Sequence, residues 1–534
     1  MLDDFVSRAE RKLLSGDLRG AYDDARQALT RSRTNGRAHY LLSCIATLRG
    51  ATADALKLCQ IAIDLDGPSG EYLAQLAFCY FELGECVEAR NCGARALDCA
   101  EVPTNALSRL SSLFHSLNAY PQMLDATKRI QALEPSNESA LSGLSTAYFL
   151  CGRVEEARRT LMETIRLYPN NVRAYCSLSG LRTARAEDNS VEIIVSLIAD
   201  EKNPHNLVNL HHALAREYED LGQIDRAFES LEKGKSILQS ISGYKIKPDI
   251  DMFAAIGRYI DASPPWPTNA TLMQPIFVVG MPRTGTTVTE RILSNCNGVV
   301  SLGESLQFGA LVRYHACCNS PRLIDAQTVD RRWRSLPLDV IGKAYCSYGA
   351  ALTGGTQRFV NKLPLNLLFV PLIVRALPKA RIICLNRHPL DTVLANYRQL
   401  FATVTTTYGY TSSLKATATF VAESMKLAQR LRLRYPEQFH LLDYEELAAN
   451  PTSKARDIVR FCDLEWRDDV VKIENNTSPV GSLSAAQVSS PIHSRFVGRW
   501  RKYMSYLGEA ISVLEAYDIV WDSNVPKAAG PDVA

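Results

Sequence analysis

A glycine-rich turn that carries basic and hydroxyl residues lies at 281–287, MPRTGTT, directly after the apolar run 276–279. A buried strand, a glycine loop and the first turn of a helix bring backbone N–H groups and the positive end of a helix dipole to one point, where they bind an oxyanion. Gly280 and Gly285 stand five residues apart, as in the nucleotide loop GxxxxGK[ST], but Thr286 occupies the position of the lysine. Because transfer of a γ-phosphate relies on that lysine, the loop predicts a donor without β- and γ-phosphates.

The side chains of this loop complement its backbone. Arg283 offers a fixed cation to an anhydride oxygen, and three threonines add hydroxyl donors. The hexapeptide PRTGTT resembles the 5′-phosphosulfate loop of sulfotransferases, which carries P-[KR]-[ST]-G-[ST]-[ST] after a strand. The resemblance implies that the phosphosulfate group of the donor is bound by Pro282, Arg283, Thr284, Gly285, Thr286 and Thr287.

A second strand–loop–helix pattern lies at 381–401, RIICLNRHPLDTVLANYRQLF. An apolar run precedes Arg387, Pro389 suits the first turn of a helix, and Asp391 is favourable near the positive end of that helix. The pattern therefore predicts a second basic group at the end of a strand, 104 residues after Arg283.

In sulfotransferases, the arginine that matches Arg387 grips the 3′-phosphate of the donor together with a serine eight residues later. That position is Ala395 in this chain, so one expected hydroxyl is missing. Asn396 is adjacent, but one residue along a helix turns a side chain by about 100°, which leaves open whether it compensates. Together the two segments resemble a site for 3′-phosphoadenosine 5′-phosphosulfate, whose product is adenosine 3′,5′-bisphosphate.

A third segment, TSPVGSLSAAQVSSPI at 477–492, is followed by GRW at 498–500. It resembles the C-terminal donor-binding segment of tyrosylprotein sulfotransferases and of their bacterial repeat-containing relatives. Ser484 and Gln487 fall on the Ser-x-x-Gln positions of that segment, and Arg499 falls on the basic residue before its tryptophan. Since the segment closes over the donor in that family, the resemblance implies Ser484 and Arg499 as donor ligands.

Sulfuryl transfer requires a base for the acceptor proton and cations for the transferring group and the leaving oxygen. Glu304, in VVSLGESLQF, follows a second short predicted strand and a glycine turn. Tyrosylprotein-type sulfotransferases carry their base in the matching Gly-Glu pair, and Lys362 in NKLPLN matches the family lysine beside the bridging oxygen. The resemblance therefore implies Glu304, Arg283 and Lys362 as catalytic residues.

Other polar groups near these motifs are predicted to be structural. His388 and His493 are interpreted as supporting groups rather than bases, and Tyr444 in LLDYEELAANP as part of a helix start. The histidines elsewhere lack the spacing of metal ligands, so the sequence predicts no metal site.

The first half of the chain shows an internal repeat of 34 residues. The marks of its register are Gly16, Gly50, Gly84, Asn118 and Gly152, with a later unit at Gly222. The fifth residue after a mark is Ala21, Ala55, Ala89, Met123, Ala157 or Ala227, and the twelfth is Ala28, Ala62, Ala96, Ile130 or Thr164. A left-handed Gly or Asn ends one helix, and small residues let its partner approach.

This pattern resembles the tetratricopeptide repeat over residues 5–240, with a break in period at 187–206. Such arrays stack into a superhelix with a concave surface. The array is expected either to dock a protein or peptide partner or substrate, or to serve packing and self-association, for example in a dimer. The segment 241–270, with a Pro-rich break, is interpreted as a linker.

The composition favours a globular protein that works without a polyanionic partner. The 534 residues are 46% apolar and carry a net charge of +3, so nucleic-acid binding is not expected. The longest apolar runs are too short to span a membrane, the start of the chain lacks the order of a secretory signal, and the 14 cysteines have no repeated CxxC spacing. The protein is predicted to be cytoplasmic.

The predicted architecture is α + α/β: a tetratricopeptide-like superhelix, then a P-loop-like α/β sulfotransferase domain at 271–525 with a mainly parallel sheet and a tail at 526–534. The leading hypothesis is a sulfotransferase whose acceptor is a hydroxyl, with protein or peptide tyrosine ranked first among phenols, glycans and lipids. One alternative is a P-loop nucleoside kinase or NTPase. Another is an interaction scaffold whose sulfotransferase-like domain is inactive, which Ala395 favours.

Overall fold

Helical hairpins fill the first part of the chain at the predicted interval. In this computed structural model, which describes residues 2–262, 273–356, 358–401, 406–476, 478 and 490–521, the first ten helices are α1 (Leu2–Leu14), α2 (Leu18–Arg31), α3 (Gly36–Leu48), α4 (Thr52–Asp66), α5 (Gly70–Glu82), α6 (Cys86–Asp98), α7 (Thr104–Ser116), α8 (Tyr120–Leu133), α9 (Glu138–Leu150) and α10 (Val154–Leu167). Helices α1, α3, α5 and α7 each pack against the helix that follows.

The turn inside each hairpin is made by the predicted left-handed residue. The φ angle is +83° at Gly16, +76° at Gly50, +82° at Gly84, +54° at Asn118 and +74° at Gly152. Glycine adopts positive φ without a steric penalty, and asparagine is the next most tolerant residue. The alanines five residues later, Ala21, Ala55, Ala89 and Ala157, are completely buried, as close helix approach requires. The repeat prediction is confirmed.

A second register of the same period is visible in the structure. The side chains of Asn35, Ser69, Asn137 and Asn171 each accept a backbone N–H three residues later and cap a helix start. Pro103 holds the corresponding place before α7 and offers no side-chain cap. Asn and Ser are favoured at this position because their oxygen satisfies an otherwise unpaired N–H group. The sequence therefore marks both ends of most repeats.

The chain divides into two compact units, Met1–Thr160 and Leu161–Ala534, well before the predicted boundary at residue 240. The second unit begins with repeat-like helices: α11 (Val172–Leu181), α12 (Val191–Asp200), α13 (Pro204–Asp220), α14 (Ile224–Ser242) and α15 (Lys247–Ala262). Helix α12 lies where the period breaks, and α13 packs against α14 around Gly222, whose φ is +75°. Among the described helices, none is long and apolar enough to cross a membrane.

Five strands form one sheet in the second unit: β1 (Ile276–Gly280), β2 (Val299–Ser301), β3 (Arg358–Lys362), β4 (Arg381–Asn386) and β5 (Phe439–Asp443). Their order is β2-β3-β1-β4-β5, and every neighbouring pair is parallel. Strand β1 is buried along its whole length, as expected for a sheet that is covered on both faces. The predicted α/β architecture with a mainly parallel sheet is confirmed.

Helices connect and cover the strands. They are α16 (Thr286–Ser294), α17 (Gln307–His315), α18 (Ala326–Arg332), α19 (Leu338–Leu352), α20 (Val370–Ala376), α21 (Pro389–Tyr397), α22 (Leu414–Arg434), α23 (Tyr444–Ala449), α24 (Pro451–Phe461) and α25 (Gly508–Ala516). Short 3₁₀ helices lie at Trp333–Ser335, Pro364–Phe369, Thr406–Ser412, Ile473–Asn475 and Arg499–Tyr506.

Helix α15 occupies most of the described part of the predicted linker and contributes to the core of the second unit. The ring of Phe253 packs edge-on against Phe420 of α22, with centroids 5.1 Å apart. Tyr259 makes a similar edge contact with Trp333, and Ile256 is completely buried. These apolar contacts make α15 an integral layer of the domain.

We expect Phe253→Ala to destabilise the second unit by about 3–5 kcal/mol, because it removes a buried ring and leaves a cavity. The measurement is urea unfolding of the full chain followed by circular dichroism. Leu433→Ala on α22, whose side chain is 78% exposed, is the matched control and should have little effect. Equal midpoints for the two variants would show that α15 is not part of the core.

Candidate active site

All five strands deliver a residue to the same edge of the sheet. Because parallel strands share their carboxyl ends, the loops after them converge, and β1 lies where the chain connections reverse direction. The predicted residues occupy these ends: Arg283 after β1, Glu304 after β2, Lys362 at the end of β3, Arg387 after β4, and Tyr444 after β5. The sheet thus brings together segments that are up to 161 residues apart.

The loop after β1 has the backbone shape of an anion-binding nest. Arg283 adopts φ +67° and Gly285 adopts φ +100°, and alternation of right- and left-handed residues points successive N–H groups into one concavity. The hydroxyl of Thr284 donates to the carbonyl of Met281 at 2.7 Å and closes the turn. The N-cap residue of α16 is Gly285, which has no side chain to cap the helix, and a helix N-terminus after such a loop is suited to an anion.

Tyr444 forms the floor of this loop. A Cβ atom at Gly285 would lie 2.4 Å from the Tyr444 ring, so only glycine fits there. The other neighbour of the ring is the guanidinium of Arg387, whose carbon lies 5.1 Å from the ring centroid. Tyr444 begins α23, as predicted, but it also supports both basic segments, which the sequence did not indicate.

Arg387 links the second segment to the first. Its Nη1 donates to the carbonyl of Arg283 at 2.8 Å, and its Nη2 donates to the carbonyl of Phe496. The residue is only 8% exposed, and its buried Nε has no hydrogen-bond partner among the described residues. Since a buried donor without a partner is costly, this Nε is suited to an anionic ligand.

Asp391 fixes the predicted GRW segment against this site. Its two carboxylate oxygens accept the backbone N–H of Gly498 at 2.6 Å and that of Trp500 at 3.0 Å. The His388 ring stacks on Trp500 with centroids 4.9 Å apart, which agrees with a supporting role for the histidine. The helix after β4 and the segment 498–500 are thereby held together.

Asn396 has a positioning role, and its contacts show whether it compensates for the hydroxyl that is missing at Ala395. Its amide donates to the carbonyl of Pro282 at 2.8 Å, and its oxygen accepts the Tyr410 hydroxyl at 2.9 Å. The side chain is completely buried, whereas Ala395 on the adjacent face is half-buried. Asn396 therefore anchors the loop after β1 and does not replace the hydroxyl that Ala395 lacks.

Glu304 and Lys362 form an ion pair across β2 and β3. The ammonium of Lys362 donates to Glu304 Oε1, and a second carboxylate oxygen, Glu290 Oε2, lies 3.8 Å away. Lys362 is buried, while the Glu304 side chain is 32% exposed. Asn361 donates to the carbonyl of Ser305 at 3.0 Å and so holds the Glu304 turn against β3. The predicted base and the predicted lysine are in direct contact.

Arg499 is bound to α13 rather than free in solution. Its Nε donates to Glu219 Oε1 at 3.0 Å, and the same carboxylate accepts the Tyr503 hydroxyl at 2.6 Å and pairs with Arg398. No motif marks Glu219 as a site residue, because its partners lie more than 170 residues away. A helix of the repeat-like region therefore positions one of the predicted donor ligands.

The electrostatic character of the site is strongly positive. Burial and neighbouring positive charges lower the pKa of Arg283 to about 10, the charges belonging to Arg216, Arg387 and Arg499. Burial likewise lowers the pKa of Arg398 to about 9, with Arg499 as the largest charged contributor. Guanidinium groups this close together repel one another, and a negatively charged group between them offsets that repulsion.

The remaining predictions concern the C-terminal donor segment and the absence of a metal site. Ser484 and Gln487 fall outside the described residues. His493 packs against Phe496 with ring centroids 5.3 Å apart, beside the donor segment. Within the described ranges, no group of three or more His, Cys, Asp or Glu residues is arranged to hold a metal ion.

We expect Gly285→Ala to be more destabilising than a glycine replacement that faces open space. Gly298→Ala, at φ +71° with no atom within 4 Å of the new Cβ, should cost about 1–2 kcal/mol for the left-handed backbone alone. Gly285→Ala should cost about 1–3 kcal/mol more, because its Cβ overlaps the Tyr444 ring. Chemical unfolding of both variants measures the difference. Equal losses would contradict the tight packing of Tyr444 under the loop.

Comparison with known proteins finds a family match inside the second unit. Residues 275–468 match the sulfotransferase family, and this range includes the first two donor motifs, Glu304 and Lys362. An uncharacterised protein of Aquifex aeolicus (strain VF5) is 26% identical over 422 residues, which are 76% of this chain and 54% of that protein. The chain thus spans about half the length of this relative.

Solved structures resemble each part separately. The sulfotransferase domain of the Synechococcus PCC 7002 olefin synthase is 14% identical, covers 48% of this chain and 98% of its own, and has a TM-score of 0.34. The tetratricopeptide protein YrrB, described as having an unusual peptide-binding site, is 16% identical, covers 32% of this chain and 89% of its own, and has a TM-score of 0.26. At these scores the assignment depends on the family match and on the geometry above. Residues 275–468 are thus similar to the sulfotransferase family, and they follow tetratricopeptide-like repeats in the same chain.

Proposed function

We propose that this domain transfers a sulfuryl group from 3′-phosphoadenosine 5′-phosphosulfate to an acceptor hydroxyl and releases adenosine 3′,5′-bisphosphate. The observation that carries the proposal is the direct hydrogen bond between Arg387 Nη1 and the carbonyl of Arg283, at 2.8 Å. It joins two basic strand ends into one site, which suits a ligand with two anionic groups. A nucleoside triphosphate has its phosphates in one chain and would leave one of these groups unused.

The residues present fit the two ends of this donor. The 5′-phosphosulfate would lie in the nest of 282–287, bound by backbone N–H groups, by Arg283 and by the threonine hydroxyls. The 3′-phosphate would accept a hydrogen bond from the Nε–H of Arg387, which has no partner among the described residues, and would lie beside Ala395. Arg499, held by Glu219, and Ser484 complete the proposed donor set.

The ion pair at the acceptor side supplies the chemistry. The acceptor oxygen attacks the sulfur, its proton passes to the Glu304 carboxylate, and a new S–O bond forms. The S–O bond to the 5′-phosphate breaks, and its electron pair remains on the leaving phosphate oxygen. Lys362 contacts Glu304 Oε1, and the second oxygen of the Glu304 carboxylate can accept the acceptor proton.

Lys362 can serve the leaving group without abandoning Glu304. An ammonium has three donors, of which one is used by Glu304, while Glu290 Oε2 lies 3.8 Å away. Another is available for the bridging oxygen, where negative charge develops in the transition state. Burial of Lys362 strengthens that interaction because water does not screen it.

For the acceptor we propose a tyrosine side chain of a peptide or protein. Burial raises the pKa of the Tyr408 phenol, and the nearby carboxylate of Glu304 is the second cause of the increase. The Phe401 ring stacks on Tyr408 with centroids 4.3 Å apart. An aromatic surface beside the base suits a phenol ring better than a sugar, and the repeats would dock the rest of the chain that carries it.

The donor assignment is tested by calorimetric binding of nucleotides to the full chain. Adenosine 3′,5′-bisphosphate should bind about 10- to 100-fold more tightly than adenosine 5′-monophosphate, because its 3′-phosphate adds charged hydrogen bonds. ATP with magnesium should bind more weakly than the bisphosphate, because the loop lacks the lysine that holds β- and γ-phosphates. A preference for ATP would refute the proposed donor and favour an NTPase.

The catalytic assignment is tested by single-turnover transfer of labelled sulfate to a tyrosine-containing peptide library. Glu304→Gln should reduce the transfer rate by about 10²- to 10⁴-fold through loss of the base, with little change in affinity for adenosine 3′,5′-bisphosphate. Glu437→Gln removes an exposed carboxylate of the same unit and should transfer at the normal rate. Bisphosphate binding without transfer in the unmodified protein, over a broad acceptor set, would favour the inactive scaffold.

A further inference from the structure

One helix of the repeat-like region turns a charged face toward the donor site. His212, Arg216 and Glu219 of α13 are spaced by four and three residues and therefore share a face. His212 Nε2 lies 3.1 Å from the carbonyl of Arg398, and Glu219 pairs with both Arg398 and Arg499. Arg216 lies between His212 and Glu219 on this face of α13, so its side chain is on the side of the helix that contacts Arg398 and Arg499.

Two further neighbours of the Arg216 side chain are Gly180 of α11 and Asp220. A Cβ atom at Gly180 of α11 would lie 3.5 Å from Arg216 Nη1, an ordinary contact distance, so the guanidinium lies against α11 at this glycine. Asp220 is the nearest carboxylate in charge interaction with Arg216, but its Oδ2 accepts the backbone N–H of Ala184 at 3.0 Å. Among the described residues, Arg216 forms no ion pair.

The cluster around Arg216 contains more cations than carboxylates. Its five guanidinium groups are those of Arg216, Arg283, Arg387, Arg398 and Arg499, and its four carboxylates are those of Asp220, Glu219, Asp391 and Glu445. Glu219 is already shared by two arginines, and both oxygens of Asp391 accept backbone N–H groups. A half-buried excess of positive charge is costly unless an anion balances it. The cluster is therefore built for an anionic ligand.

The position of the excess charge indicates which end of the donor it serves. Arg398 follows Ala395 by three residues at the end of α21, so the two lie on one face. Arg216 is close enough to Arg398, Arg499 and Arg283 to lower the pKa of Arg398 and Arg283. His212, one turn before Arg216 on the same face of α13, lies 3.1 Å from the carbonyl of Arg398, so this face of α13 meets the end of α21.

We propose that Arg216 is a ligand of the donor 3′-phosphate, so that the last repeat-like hairpin is part of the donor site. This inference rests on the proposed donor. It assigns to α13 the hydrogen-bond donor that Ala395 cannot provide. It also makes Glu219 a positioning residue, since its carboxylate orients Arg398 and Arg499 around the same phosphate.

The test is isothermal calorimetry on the full chain with adenosine 3′,5′-bisphosphate and adenosine 5′-monophosphate. Arg216→Gln should weaken binding of the bisphosphate about 10- to 100-fold, as expected for lost charged hydrogen bonds, and leave the monophosphate within about twofold. Lys233→Gln removes an exposed cation on α14 that pairs with Glu229; it is the charge-matched control and should bind both nucleotides normally.

Three results would overturn the inference. They are an unchanged bisphosphate affinity in Arg216→Gln, an equal loss for both nucleotides, and a preference for the bisphosphate that disappears in Arg387→Gln but persists in Arg216→Gln. The last result would leave the proposed donor intact. Failure of the donor itself would appear instead as an unmodified protein without any preference for the 3′-phosphate.

A folding defect in Arg216→Gln would be detected by circular dichroism. In that case Arg216→Lys keeps the charge and loses the guanidinium fork. It should show a smaller loss of affinity that is again confined to the bisphosphate. No loss in Arg216→Lys, or an equal loss for both nucleotides, would count against contact with the 3′-phosphate.

Discussion

The guanidinium of Arg387 is the group on which the arrangement of this site depends. It donates to the carbonyl of Arg283, lies over the Tyr444 ring and reaches the carbonyl of Phe496, so one buried cation ties together the ends of β1, β4 and β5 and the C-terminal segment. A buried charge must be hydrogen-bonded to be tolerated. The loop after β1, the helix start at Tyr444 and the segment before Trp500 therefore have to lie where they do for the site to be stable.

The second constraint is the way the repeats end. The 34-residue pattern, which continues through Gly222 and Ala227, predicts a helical hairpin because the turn and the small residues act within one unit. It does not specify what the hairpin packs against. Phe228 of α14 stacks on Tyr506 with centroids 4.4 Å apart, and Lys235 donates to the carbonyl of Gln399. These contacts place α13 and α14 in the second unit, although their sequence continues the repeat.

The same distinction separates what the sequence predicted at the site from what it missed. Gly285, Arg283 and Arg387 were found because short motifs report local backbone geometry: a positive φ, a strand end, a helix start. Tyr444 and Glu219 act through partners far away in the chain, and neither residue type is unusual in its own segment. Asn396 shows the intermediate case, since helical geometry correctly turned it away from Ala395 but could not name Pro282 as its partner.

The hydroxyl that is missing at Ala395 can be compared with a guanidinium by the free energy of the hydrogen bond that each would donate to a phosphate. A hydrogen bond to a charged group contributes about 1.5–3 kcal/mol, whether the donor is a hydroxyl or a guanidinium. One guanidinium near the proposed 3′-phosphate would therefore offset the loss of the serine, and Arg398, three residues after Ala395 at the end of α21, lies on the same face of that helix. A cluster of cations that carries more charge than its carboxylates balance is destabilising in a protein that binds nothing. Its presence supports the proposed binding of an anionic donor over the alternative of an inactive scaffold.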